Sequence, residues 1–125
     1  MAEEKQKRIL VVDDAPYVRQ MFKDVLKTYN YKVSGEASDG EKALKKYRRI
    51  KPDIVIMDIL MPTLDGISSM KNILEYDSNA KIIVVTAVGK KGLEKECMKV
   101  GAKAFLTKPF KIDELLATLK KTLEE

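Results

Sequence analysis

Five short apolar runs, at 9–12, 32–37, 54–58, 81–86 and 104–107, recur some two dozen residues apart along a chain of 125 residues. That interval is the length of one strand plus a crossover helix. "ILVV", "IVIM" and "IIVV" are apolar at every position rather than at alternate ones, the pattern of strands covered on both faces. The intervening segments carry helical spacing. Val18, Met21, Phe22, Val25, Leu26 and Tyr29 form one stripe, and Ile112, Leu115, Leu116, Leu119 and Leu123 nearly repeat it. Weaker stripes at Ala43/Leu44/Tyr47, Ile67/Met70/Ile73/Leu74 and Leu93/Cys97/Val100 predict three more helices.

The resulting pattern is (βα)₅, an α/β single domain with a doubly wound parallel sheet. Right-handed crossovers and the need for helices on both faces favour the flavodoxin-like strand order 2-1-3-4-5. One domain over residues 1–125 is expected, with an ordered core at about 7–124 and no output domain after the last helix.

Composition removes several classes of chemistry. The chain has no His, which eliminates Ser-His-Asp and Cys-His nucleophile schemes and any His metal site. The lone Cys97 cannot form an internal disulfide; with Met70 and Met98 it reads as core filler. The charged N-terminus lacks the apolar core of a signal peptide, and no apolar run is long enough to span a membrane. A cytoplasmic protein with no membrane insertion is expected. The net charge of +5 is concentrated at 40–52, where Lys42, Lys45, Lys46, Arg48, Arg49 and Lys51 oppose only Glu41. Without interleaved aromatics or a helix-turn-helix pattern, this segment reads as a solvated helix face rather than a nucleic-acid site.

What chemistry remains collects at the strand ends. In an open parallel sheet, ligands sit outside the carboxyl ends of the strands near the point where strand order reverses. Here strand one runs into Asp13-Asp14, strand three stops at Asp58, strand four at Thr86 and strand five at Thr107-Lys108. Asp14 ahead of Ala15-Pro16 also suits a helix cap, and Thr86 suits any strand. Three carboxylates, a hydroxyl and an ammonium around one crevice are harder to obtain by accident. Two carboxylates ~5 Å apart repel by about 3 kcal/mol at an effective dielectric of 20, so a cation is expected among them. Oxygen-only ligands favour a hard ion, Mg²⁺ before Ca²⁺, with Mn²⁺ as an alternative occupant. An aspartate beside such an ion and a lysine is equipped to attack phosphorus.

"VVDDAP", "MDILMPTLDG", "VVTA" and "GAKAFLTKPF", spread over nearly the whole chain, resemble the response-regulator receiver domains, in particular stand-alone CheY-like chemotaxis regulators. The resemblance implies a two-component signalling phosphoprotein rather than an enzyme in the ordinary sense. Asp58 would be the phosphoacceptor, forming an aspartyl phosphate. Asp13, Asp14, Asp58 and the Leu60 backbone carbonyl would hold the metal, with Thr86 and Lys108 contacting the phosphoryl group. It further implies a cis Lys108-Pro109 bond and a switch pairing Thr86 with Phe105 that alters the helix four, strand five and helix five surface. Phe110 reads as a plug above helix five.

The implied partners are a CheA-like histidine kinase, a downstream motor switch or adaptor protein, and a phosphatase, with no direct nucleic-acid role. Lys90, Lys91, Lys95, Lys99, Lys103 and Lys111 lie near that output face, which suggests an acidic docking partner. Leu60 and Val88, two residues beyond Asp58 and Thr86, are apolar where many family members are polar, which implies a long-lived phosphorylated state. A phosphorelay intermediate is the main alternative. An aspartate-nucleophile phosphohydrolase is less favoured, since it would carry D-x-D after strand one and a cap domain. A Walker loop at 35–42 is rejected because Glu41 stands where phosphate must be cradled.

Overall fold

The computed structural model describes residues 6–60, 65–87 and 91–125. Strands and helices alternate without exception: β1 (Arg8–Val12), α1 (Pro16–Thr28), β2 (Lys32–Ala37), α2 (Gly40–Ile50), β3 (Ile54–Met57), α3 (Gly66–Tyr76), β4 (Ile82–Thr86), α4 (Leu93–Val100), β5 (Ala104–Thr107) and α5 (Ile112–Glu124). All four strand pairings are parallel, in the order β2-β1-β3-β4-β5. This is the flavodoxin-like arrangement expected of the apolar runs. Strand boundaries differ from the sequence reading by one residue: β1 begins at Arg8, β4 begins at Ile82, and β3 ends at Met57, which leaves Asp58 just beyond it.

Because side chains alternate along each strand, the sheet feeds two separate cores. Leu10, Val12, Val55, Met57, Ile82 and Val84 pack against α2, α3 and α4 through Ala43, Tyr47, Met70, Ile73, Leu93 and Cys97. Ile9, Val11, Ile54, Ile56, Ile83 and Val85 face the other way, onto Phe22 and Leu26 of α1 and Leu115 and Leu119 of α5. The helical stripes are narrower than their apolar spacing suggests. Met21, Tyr29 and Ile112 are exposed, as is Met98, so the reading of Met98 as core filler is corrected. It follows the buried Cys97 directly, and adjacent helical residues point about 100° apart.

Local chemistry sets the helix starts. Asp39 and Asp65 cap α2 and α3 by accepting from the backbone N–H of Lys42 and Ser68 at 2.9 and 2.8 Å. Helix α1 starts at Pro16 behind the N-cap residue Ala15, which offers no capping side chain. Arg8 closes the far end of α2, donating to the carbonyls of Ile50 and Lys51. Among the described residues no helix is long and apolar enough to cross a membrane.

Candidate functional site

Three backbone hydrogen bonds carry the sheet ladder one step past the strand ends and thereby aim the candidate site residues. The Asp13 amide donates to Ala37 O (3.0 Å), the Asp58 amide to Val12 O (2.9 Å) and the Lys108 amide to Thr86 O (2.8 Å). Residues from β1, β3 and β5 are thus held at one edge, although they are far apart in sequence. Thr86, fully buried at the end of β4, lies beside them.

The centre of the cluster is the Lys108 ammonium. Its Nζ donates to Asp13 Oδ2 at 3.1 Å and to Asp58 Oδ2 at 3.2 Å. Burial alone would pull the Lys108 ammonium down, but its hydrogen bonds to Asp13 and Asp58 and their negative charge outweigh it and hold the group above its usual range. The other oxygens of the two carboxylates organise the loops. Asp13 Oδ1 accepts from the Ala15 N–H (2.9 Å) and Asp58 Oδ1 from the Leu60 N–H (2.9 Å). Each acid is therefore oriented by a tight turn two residues on, an Asx arrangement.

Asp13 and Asp14 diverge. Asp13 is 3% exposed, whereas Asp14 points out into solvent and does not cap α1. Of the three carboxylates expected at this edge, Asp13 and Asp58 share the Lys108 ammonium, while Asp14 stands exposed beside them. Among the described residues no three acid, Cys or His side chains form a ready metal cage. Leu60 is 56% exposed. The Lys108-Pro109 peptide bond is cis. Val88 and Lys90 fall outside the described residues.

Phe105 is half-buried in the core facing α2, α3 and α4. The register Val84↔Phe105 and Thr86↔Thr107 puts Phe105 and Thr86 on the same sheet face, one alternation apart. Phe110 packs on the opposite side, stacked on Phe22 at 5.9 Å between ring centroids.

A strap that sequence reasoning missed supports the acidic loop. Arg19 Nη1 donates to the Asp13 carbonyl at 2.7 Å, while its Nε binds Glu36 Oε1 at 3.1 Å; Lys23 takes Glu36 Oε2 at 3.0 Å. The Lys23 hydrogen bond, opposed by burial and reinforced by Arg19, holds the Glu36 carboxyl below its usual range. The available signal was a base one turn into the helix that follows an acid pair, with an acid on the neighbouring strand. The close approach of Gly66 to Ile59 was also missed. Any Cβ on Gly66 would meet the Ile59 backbone, so α3 is docked tightly against the turn after Asp58.

Comparison with known proteins agrees with this architecture. The chemotaxis protein CheY of Thermotoga maritima is 47% identical over 115 residues, which covers 92% of this chain and 96% of that protein. CheY of Bacillus subtilis is 43% identical over 116 residues, covering 93% and 97%. Among solved structures, the CheX–CheY–BeF₃–Mg²⁺ complex from Borrelia burgdorferi superposes with a TM-score of 0.88 at 35% identity, over 92% of this chain and 87% of that one. The family model described as the response regulator receiver domain matches residues 9–120. With a doubly wound five-stranded sheet, an aspartate pair joined through one lysine and a match over almost its whole length, the chain belongs to the response regulator receiver domain family.

Proposed function

We propose that this protein is a cytoplasmic two-component signalling phosphoacceptor of the chemotaxis type, in which Asp58 takes a phosphoryl group from a CheA-like histidine kinase. The single observation that carries the reading is the Lys108 ammonium shared between Asp13 and Asp58. In the transfer, an Asp58 carboxylate oxygen forms a bond to phosphorus while the phosphorus–nitrogen bond of a phosphohistidine breaks. The electron pair leaves on the imidazole nitrogen, which takes a proton from solvent.

Lys108 is positioned to neutralise charge that gathers on the phosphoryl oxygens, and its raised proton affinity keeps it cationic at neutral pH. The donor set fits a hard cation: Asp13 and Asp58 offer oxygen only and converge on one positive centre. Asp13, Asp14, Asp58 and the Leu60 carbonyl would hold Mg²⁺, or Mn²⁺ in its place. Bound there, the ion supplies electrostatic stabilisation of the phosphoryl oxygens. Thr86 would hydrogen-bond the phosphoryl group, and Phe105, on the same face, would repack with it, changing the α4-β5-α5 surface.

That surface would bind a motor switch or adaptor protein. Lys91, Lys95, Lys99, Lys103 and Lys111 favour an acidic partner, whose affinity would fall as salt rises. A phosphatase would reset the signal, and the chain would turn over no substrate of its own apart from slow self-dephosphorylation.

The test is intact-mass measurement after acetyl phosphate, with and without Mg²⁺, on the wild type and Asp58→Asn. A stoichiometric phosphoryl gain that needs both Mg²⁺ and Asp58, stable in acid and labile in base, supports the reading. Labelling that survives Asp58→Asn defeats it. Onward transfer to a second histidine domain would assign a phosphorelay role, and sustained turnover of phosphate monoesters would assign a hydrolase.

A further inference from the structure

The positive charge of this protein resides in one helix. Six bases oppose a single acid over residues 40–52, and the 18 bases and 18 acids elsewhere cancel, so this segment accounts for the whole net charge of +5. The structure places five of the six on α2 and the sixth, Lys51, at its C-terminal cap. Lys42, Lys45, Arg48 and Arg49 are exposed, and Lys46 is half-buried.

Elsewhere in the fold, three bases are held by acids: Arg19 and Lys23 share Glu36, and Lys108 holds Asp13 and Asp58. On α2, among the described residues, only Lys42 comes within 4.0 Å of a carboxylate, at 3.9 Å from Asp39. Among the described residues Lys45, Lys46, Arg48 and Arg49 have no acid partner. The helix dipole accounts for Arg48 and Arg49 in the last turn but not for Lys42, Lys45 and Lys46, which lie nearer its positive end. Apart from Glu41 and Lys45, the charged neighbours three and four apart on this helix are like-charged, an arrangement that opposes helix formation.

The face is also shaped. The Arg48 guanidinium lies 5.3 Å from the centroid of the exposed Tyr76 ring. Tyr76 meets Tyr47 edge-on at 6.3 Å, and the buried Tyr47 donates through its hydroxyl to Asp77 at 2.8 Å. One arginine is therefore braced by an aromatic relay reaching into the core, beside the exposed Lys42 and Lys45 and the half-buried Lys46. Clefts lined by Lys42, Lys45, Lys46 and Arg49, and by Lys45, Arg48, Arg49 and Tyr76, run between these side chains.

We infer that the α2 face, centred on Lys45, Arg48, Arg49 and Tyr76, is a docking surface for an acidic protein segment, separate from the phosphoacceptor cluster. Charge complementarity sets the sign of the partner, and arginine and tyrosine are the side chains that most often anchor protein interfaces. Tyr76 is the only large exposed apolar side chain described on this face, so the apolar wedge that lipid binding needs is missing. A single aromatic also offers no successive stacking platform for nucleic acid. Helix α2 packs on β1, β2 and α3 at the β2 edge of the sheet, and β5 forms the opposite edge. A partner here leaves the β5 side open, and its binding does not depend on Asp58.

The experiment titrates ¹⁵N-labelled full-length protein with a glutamate-rich helical peptide at low and physiological salt. Parallel titrations use phosphatidylglycerol vesicles and a single-stranded oligonucleotide of equal charge. The expected result is peptide-induced shifts confined to α2 and Tyr76 that persist in Asp58→Asn and weaken with salt. Affinity should fall at least ten-fold in Lys45→Gln/Lys46→Gln/Arg49→Gln, whose exposed or half-buried positions leave the fold intact. Arg48→Lys keeps the charge but loses the planar stack, and a few-fold loss there separates a shaped site from bulk charge. Shifts centred elsewhere, wild-type binding by Arg48→Lys, tighter binding to vesicles or oligonucleotide, or no binding at all would each overturn the assignment. None of these results bears on phosphorylation of Asp58.

Discussion

Replacing Lys108 with Met removes the one cation that two largely buried carboxylates share. Their nearer oxygens lie 3.1 and 3.2 Å from its nitrogen. They are thus no more than about 6 Å from each other, and at an effective dielectric of 20 they repel by about 3 kcal/mol or more once the ammonium is gone. Loss of one member of a buried ion pair costs a similar amount, about 3 to 5 kcal/mol. For a domain of this size, with a urea slope of about 2 kcal/mol per molar, the midpoint of unfolding should drop by about 1.5 M in metal-free buffer. Circular dichroism is the appropriate probe, since the chain has no Trp. Adding Asp13→Asn to Lys108→Met should recover much of the loss, because the repulsion disappears with the second charge. Millimolar Mg²⁺ should restore more stability to Lys108→Met than it adds to the wild type. If Lys108→Met unfolds at the wild-type midpoint, or if the double variant simply sums the two single effects, then Lys108 is not what reconciles the two acids.

The same pair carries a pH signature. The Lys108 value lies above that of the unfolded chain, so its stabilisation is fully present below about pH 10 and is lost as pH rises through the folded value. The stability difference between wild type and Lys108→Met should therefore stay constant from pH 7 to 9 and shrink only above that range; shrinkage already at pH 8 would contradict it. Both proteins should also lose stability above pH 10 because burial, joined in Tyr47 by the Asp77 hydrogen bond, raises the Tyr31 and Tyr47 phenols. Gly66→Ala should cost about 1 to 3 kcal/mol in urea unfolding and slow labelling of Asp58, since the new methyl would displace the Ile59 backbone. Unaltered stability would show that the turn yields freely. Finally, Leu60→Asn/Val88→Glu should shorten the lifetime of the phosphorylated state several-fold, measured by the decay of intact mass; an unchanged lifetime would remove the role assigned to these two positions.

Much of the fold could be read from the order of residues because parallel strands buried on both faces leave a strong local mark. Ile9 to Val12, Ile54 to Met57 and Ile82 to Val85 are apolar throughout, and every one is at most 1% exposed. The acids, the threonine and the lysine could likewise be located, because each directly follows an apolar run. Helical faces were less legible. Met21 and Ile112 continue apolar stripes yet remain exposed.

The sequence by itself determined the alternation of strands and helices, the two-sided burial of the sheet and the set of polar groups at its carboxyl edge. It could not say which of two identical neighbours, Asp13 or Asp14, turns inward. That depends on Lys108, 95 residues away, and on Arg19 gripping the Asp13 carbonyl. Nor could it separate a solvated basic helix from a braced one, because Arg48 finds Tyr76 only when α2 packs against α3. Local patterning records whether a side chain faces water or the core, whereas the partner of a charge is chosen by chain crossings that bring distant residues within a few ångströms.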